Sequence, residues 1–178
     1  MVESVRSKKT VLRAAIDTAM TANGWPPRRI CGLPAVYVHD TLVSPYFVCS
    51  SFRKMRDHYC VDGAIGLIHQ GFERSWVTLH PEFKEKNRLA FLLHVANFPT
   101  LDESRLLFAD ELDSEVRIFC DAVSALLFAK PRDDHSLKRA FDEDRICGHA
   151  VGSFSGYSQR PKFYDFVEFV KQLDPSRA

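Results

Sequence analysis

Leu89-Ala-Phe-Leu-Leu-His-Val-Ala-Asn-Phe98 is nearly all apolar, short, and bounded by Arg88 before it and Pro99 after it. A run of this length and density predicts a buried strand. Upstream, Tyr59–His69 carries a second strand signal, with Gly63 and Gly66 inside it marking a bulge or a close backbone approach. Downstream, Asp110–Phe128 places Leu112, Val116, Phe119, Cys120, Val123, Leu126 and Leu127 on one helical stripe. That amphipathic helix is expected to lie across Leu89–Phe98, with acidic residues in its first turns where the macrodipole favours them. The fold class that follows is a single α+β domain over residues 1–178, with a mostly antiparallel sheet and helices packed chiefly on one face.

Composition supports one core. The chain has 178 residues, 46% of them hydrophobic, and its 14 Phe predict an interior built largely from aromatic rings. A net charge of +1 gives none of the basic excess that drives nucleic-acid binding. The halves nevertheless differ: residues 1–99 carry 13 Lys+Arg against 8 Asp+Glu, and residues 100–178 carry 11 against 15, a mild acidic bias toward the C-terminus. Cys31, Cys49, Cys60, Cys120 and Cys147 are odd in number and scattered, which argues against a disulfide framework. No uncharged run has the length of a signal-peptide core or a bilayer span, so a cytoplasmic protein with reduced thiols is expected and no membrane partner.

The remaining elements are read from punctuation. A helix over Ser4–Ala22 ends at Asn23-Gly24, and Pro26-Pro27 then predicts an extended loop carrying Arg28 and Arg29. Ala35–Val38 and Pro45–Ser51 read as short strands. Phe72–Leu79 is a short helix or a further extended piece, closed by Pro81. Thr100-Leu-Asp-Glu103 has the spacing of a capping box and predicts a helix start. Ser136 is a candidate N-cap for a helix to Ile146. Then His149–Arg160 is a Gly- and Ser-rich connection, and a last helix from Pro161 buries Phe163, Phe166, Val167, Val170 and Leu173.

Candidate chemistry is sparse. His58, Cys60 and Asp62 alternate along a predicted strand, but same-face neighbours stand roughly 7 Å apart, too far for an unaided thiol–imidazole bond. A partly exposed strand face is the simpler reading, and a small hydrolase or metal-dependent enzyme with a fold-assembled Cys/His/Asp site is the alternative. None of the seven histidines stands in a metal-binding spacing; His94 reads as a core-strand residue bonded to backbone, the others as exposed. Gly63-Ala-Ile-Gly66 lacks the rest of a phosphate loop, and Gly152–Gly156 has Phe154 where a hydrolase elbow needs Ser. No catalytic, cofactor-binding or metal-binding residue is therefore assigned. A pocket between sheet and helices for a small ligand is a further reading.

Two acidic groups, Asp133-Asp134 and Asp142-Glu143-Asp144, flank the Ser136 helix. They are either solvated charge or a docking surface for a basic partner, steering association more than supplying affinity. Tyr157 and Arg160 lie on a long connection of the kind where recognition concentrates, and complete the candidate partner-binding set. The basic clusters Arg28-Arg29 and Arg53-Lys54-Arg56 lack interleaved exposed aromatics, so no direct nucleic-acid contact is expected.

The element order combines a helix ending Asn23-Gly24-Trp25, short strands including Asp62-Gly-Ala-Ile-Gly-Leu-Ile-His69, the strand Leu89–Phe98, and helices to the C-terminus. In size, composition and layout over most of the chain it resembles the small bacterial immunity proteins of polymorphic-toxin and contact-dependent inhibition systems. That resemblance implies a non-catalytic cytoplasmic protein that binds and neutralises one cognate toxin domain, often a nuclease whose basic cleft is covered by an acidic surface. The near-neutral total charge departs from the strongly acidic members, and no diagnostic motif carries functional residues over.

Overall fold

The computed structural model describes residues 5–30, 33–81, 91–93, 101–102, 109–143 and 160–173. The elements are α1 (Val5–Ala22), β1 (Pro27–Ile30), β2 (Leu33–Val38), β3 (Val43–Lys54), β4 (His58–His69), α2 (Gln70–Leu79), β5 (Phe91–Leu93), β6 (Leu101–Asp102), α3 (Ala109–Phe128), α4 (Asp134–Asp142) and α5 (Arg160–Gln172). This is the expected α+β class: β1-β2-β3-β4 pair in sequence order, every pair is antiparallel, and β5 and β6 both join the outer edge of β4.

The centre of the sheet is the β3–β4 hairpin rather than Leu89–Phe98. Of that predicted strand, Phe91–Leu93 pairs with Leu67–Ile65, and the flanking residues lie outside those described. Among the described residues the principal neighbours of α3 are α1, β3 and β6; most of Leu89–Phe98, over which α3 is expected to cross, lies outside them. Apolar density misled here, because it measures burial on two sides and says nothing about position in a sheet. β3 is obscured in the sequence by Pro45 and Ser50-Ser51, yet it runs 12 residues.

Its irregularity has a purpose. The register moves from Cys49↔Gly63 to Ser51↔Asp62, so Ser50 is an extra residue. This bulge lets Cys49 and Phe52, three apart, enter the same core, where strict alternation would put them on opposite sides. Gly63 sits opposite because nothing larger fits: a Cβ there would lie 2.4 Å from the Val48 carbonyl oxygen. The expected close approach is thus present.

Phe47, Cys49, Tyr59, Val61 and Ile65 pack with Leu12, Ile16 and Met20 of α1 and with Val116, Phe119, Val123 and Leu127 of α3. Farther along the same face, Val43 and Leu67 pack with Phe72 and Trp76 of α2, Leu137 of α4, and Phe166 and Val170 of α5. Alternation along β3 and β4 places both clusters on one side, so the five helices among the described residues share a face as expected. On the reverse, Val36, Val38, Tyr46, Val48 and Ala64 form a third buried cluster of strand residues.

Local chemistry sets the helix ends. α1 closes with Trp25 N–H donating to the Met20 carbonyl and Gly24 N–H to that of Thr21, and Gly24 takes φ +84°. This is the two-bond C-terminal motif that favours glycine. Pro27 does not end in a loop but opens edge strand β1, where the missing N–H is tolerated. Leu101–Asp102 form β6 instead of a helix start; they pair with His58 and Tyr59, and Thr100 and Glu103 lie outside the described residues. α4 starts before Ser136: Asp133 is the N-cap, its side chain accepting from Ser136 N–H, while Ser136 Oγ accepts from Asp133 N–H. Asp is as good a cap as Ser, and the reciprocal bond fixes the choice.

Candidate functional site

The most unusual surface lies where α3 hands over to α4. Ending α1 at Gly24 sends Trp25 inward, where it is 1% exposed, with its ring 5.3 Å edge-on from Phe128 and 6.0 Å from His39. Phe128, the last residue of α3, is 56% exposed. Arg132 lays its guanidinium over both rings, 4.7 Å from the Phe128 centroid and 5.7 Å from that of Trp25. Such cation–π contacts hold a cation without neutralising it.

The backbone around this cluster is tied down. Val43 N–H donates to the Arg132 carbonyl at 3.2 Å, and Gln70 N–H to that of Leu42 at 3.0 Å. Ser44 Oγ donates to the Thr41 carbonyl, and Arg28 pairs with Asp40. Leu42 is left 43% exposed beside it. Two donors remain: Trp25 Nε1 and Arg132 Nη2 are buried and meet no acceptor among the described residues. A buried donor left unmade costs about 1–3 kcal/mol, so two within one cluster call for a cause.

Behind this corner sits a polar latch that sequence reading missed. His69, expected to be exposed, is 3% exposed. Its Nδ1 accepts from Phe72 N–H at 3.0 Å, capping α2, and its Nε2 donates to Asp134 Oδ1 at 2.8 Å. Those two bonds fix a neutral ring with the proton on Nε2. Phe169 packs edge-on at 4.7 Å. The signal in the sequence is one of position, since His69 ends a strand and begins a helix.

The predicted partner-binding residues separate in space. Asp133 and Asp134 stand at the start of α4, and Asp142 and Glu143 at its other end, roughly 12 Å away along the axis. Asp134 is committed to His69, and Asp142 pairs with Lys138 at 2.7 Å. Asp133 is exposed, and bonds from Ser136 hold its carboxyl below the usual range. Arg160 opens α5; Asp144 and Tyr157 lie outside the described residues.

Of the alternative set, no hydrogen bond joins His58 to Cys60 among the described residues. His58 Nδ1 bonds Asp57 at 2.6 Å, Cys60 is half-buried, and both occupy the side of β4 opposite to Tyr59 and Val61. The side chain of Asp62 lies outside those described. His80 stacks on Trp76 at 4.7 Å and approaches Asp165 at 3.7 Å; His39 and His135 are exposed, and His94 and His149 lie outside the described residues. Among the described residues no three His, Cys, Asp or Glu come together as a metal site, and no helix is long and apolar enough to cross a membrane. Between α1 and α3 runs an open groove of about 790 Å³, lined by Val11, Ala15, Ala19, Leu112 and Val116. Comparison of the chain with protein-family models, with curated proteins and with solved structures finds no match in any of the three.

Proposed function

We propose that this protein is a non-catalytic protein-binding module, an immunity protein acting in the cytoplasm to bind and neutralise a cognate toxin domain, with a nuclease as the first candidate. The observation that carries the reading is the corner of Trp25, Phe128 and Arg132. Trp, other aromatics and Arg dominate the energetic centres of protein interfaces, where an exposed ring backed by a rigid one offers area at little entropic cost. Phe128 is such a ring, backed by buried Trp25 and braced by Arg132. Asp133, exposed on the residue next to Arg132, adds a negative rim that can orient a basic partner.

The test is co-expression with the product of the gene immediately upstream, followed by size-exclusion and a growth assay. A stoichiometric pair that co-elutes, together with protection of growth, is the expected result. Separate elution with unprotected growth would overturn the reading.

A further inference from the structure

We infer that Trp25 Nε1 and Arg132 Nη2 form a receptor for one carboxylate, an aspartate or glutamate side chain presented by the partner protein, with Phe128 as its movable cover. The inference rests on the protein-binding reading and adds the chemistry of a single contact. Both groups are donors only, so what satisfies them must be an acceptor. The guanidinium carbon lies 5.7 Å from the indole centroid, so the two unmet donors belong to one cluster, and one carboxylate carries the two oxygens that would answer both. Arg132 supplies the positive charge that selects an anion over a carbonyl.

A monoanion fits better than a phosphate. The two oxygens of one carboxylate match the two unmet donors, whereas a phosphate would bring further oxygens that no donor there meets. The source is a protein side chain rather than a free acid because Phe128, more than half in solvent against both donor residues, offers apolar area only to a surface that covers it. Phe128 sits at the end of α3, more than half in solvent, and its ring lies against both Trp25 and the Arg132 guanidinium, so a change of its rotamer, which gives up those two contacts, uncovers the donors.

The full chain, isotope-labelled, is titrated with N-acetyl-glutamate N-methylamide and, in parallel, with the glutamine analogue, while both indole N–H resonances are followed. The acid should move the Trp25 signal saturably, with half-saturation on the order of 10 mM for one charge-assisted contact. The Trp76 signal, whose N–H donates to Asp165 at 2.9 Å, should stay in place and report the intact fold. Arg132→Gln should weaken the response at least roughly tenfold with the Trp76 signal unmoved, and Arg132→Lys should restore part of it. A Trp25 signal indifferent to the acid, or equally responsive in Arg132→Gln, would mean that solvent satisfies these donors and would overturn the inference. In the co-elution assay, an Arg132→Gln protein that pairs as tightly as the parent overturns the carboxylate contact and leaves the protein-binding reading standing. Loss of pairing in the parent protein strikes that reading instead, while the titration still decides the receptor.

Discussion

One sheet face carries two differently built halves. Under α1 and α3 the core is made of large rings and long helices: Tyr37 stacks on Phe47 at 5.6 Å, Phe47 meets Phe119 at 6.3 Å, and Trp25 closes the end. Under α2, α4 and α5 the helices are shorter and polar bonds hold them, His69 to Asp134 and Trp76 to Asp165. The first half is secured by burial, which is non-directional and tolerant of small shifts. The second adds directional bonds to its own buried rings, Phe72, Trp76 and Phe166, and removing one partner leaves the other stranded.

The difference is testable by truncation. Phe119→Ala, which opens a cavity in the larger core, should lower unfolding free energy by about 3–5 kcal/mol in denaturant titrations, the largest effect expected. Next comes Gly63→Ala at the seam of the hairpin. The Val48 carbonyl cannot yield to a Cβ at 2.4 Å without moving the strand, so a loss of about 1–3 kcal/mol is expected. His69→Ala removes the cap of α2 and strands Asp134, for about 2 kcal/mol. A double-mutant cycle with Asp134→Ala should show positive coupling, and additivity would refute the latch. Asp133→Ala should cost about 1 kcal/mol, the ordinary worth of an N-cap.

pH sharpens the contrast further. Asp133 has its carboxyl held below the ordinary 3.8, so its contribution is present above that value and is lost as pH falls through the depressed one. Burial pushes the Cys120 thiol from 9.0 up to about 12 and raises the Tyr37 phenol, which also donates to Asp17 at 2.7 Å. Both must stay protonated in the fold, so their contribution is complete below the unfolded values and disappears as pH rises through the folded ones. Circular dichroism at the acid and alkaline limits should therefore show Asp133→Ala flattening only the acid limb. A Cys120→Ala protein, with one fewer buried titrating group, should flatten only the alkaline limb.

The sequence made the helices plain and left the sheet and the site obscure. α1 and α3 were legible because periodic apolar stripes and an Asn-Gly stop are local signals. β3 is legible only over Pro45–Ser51, because its bulge breaks alternation there and only the partner strand shows where the extra residue falls. Leu89–Phe98 reads as central because apolar density is a signal of burial and not of position in a sheet. Among the predicted site residues, the acidic pairs were read by adjacency along the chain, and their division between opposite ends of α4 follows from helix geometry that the string conceals. Trp25 and Arg132 were invisible as a pair, being joined only by tertiary packing.

The hairpin of β3 and β4 closes through Met55–Asp57, with Met55 N–H donating to the His58 carbonyl at 2.8 Å. The longest ladder among the described residues therefore needs nothing C-terminal to His69 in order to zip. During synthesis the nascent chain can complete it while α3, α4 and α5 are still untranslated, so an apolar plank waits for its covering and is vulnerable to chaperones and aggregation in that interval.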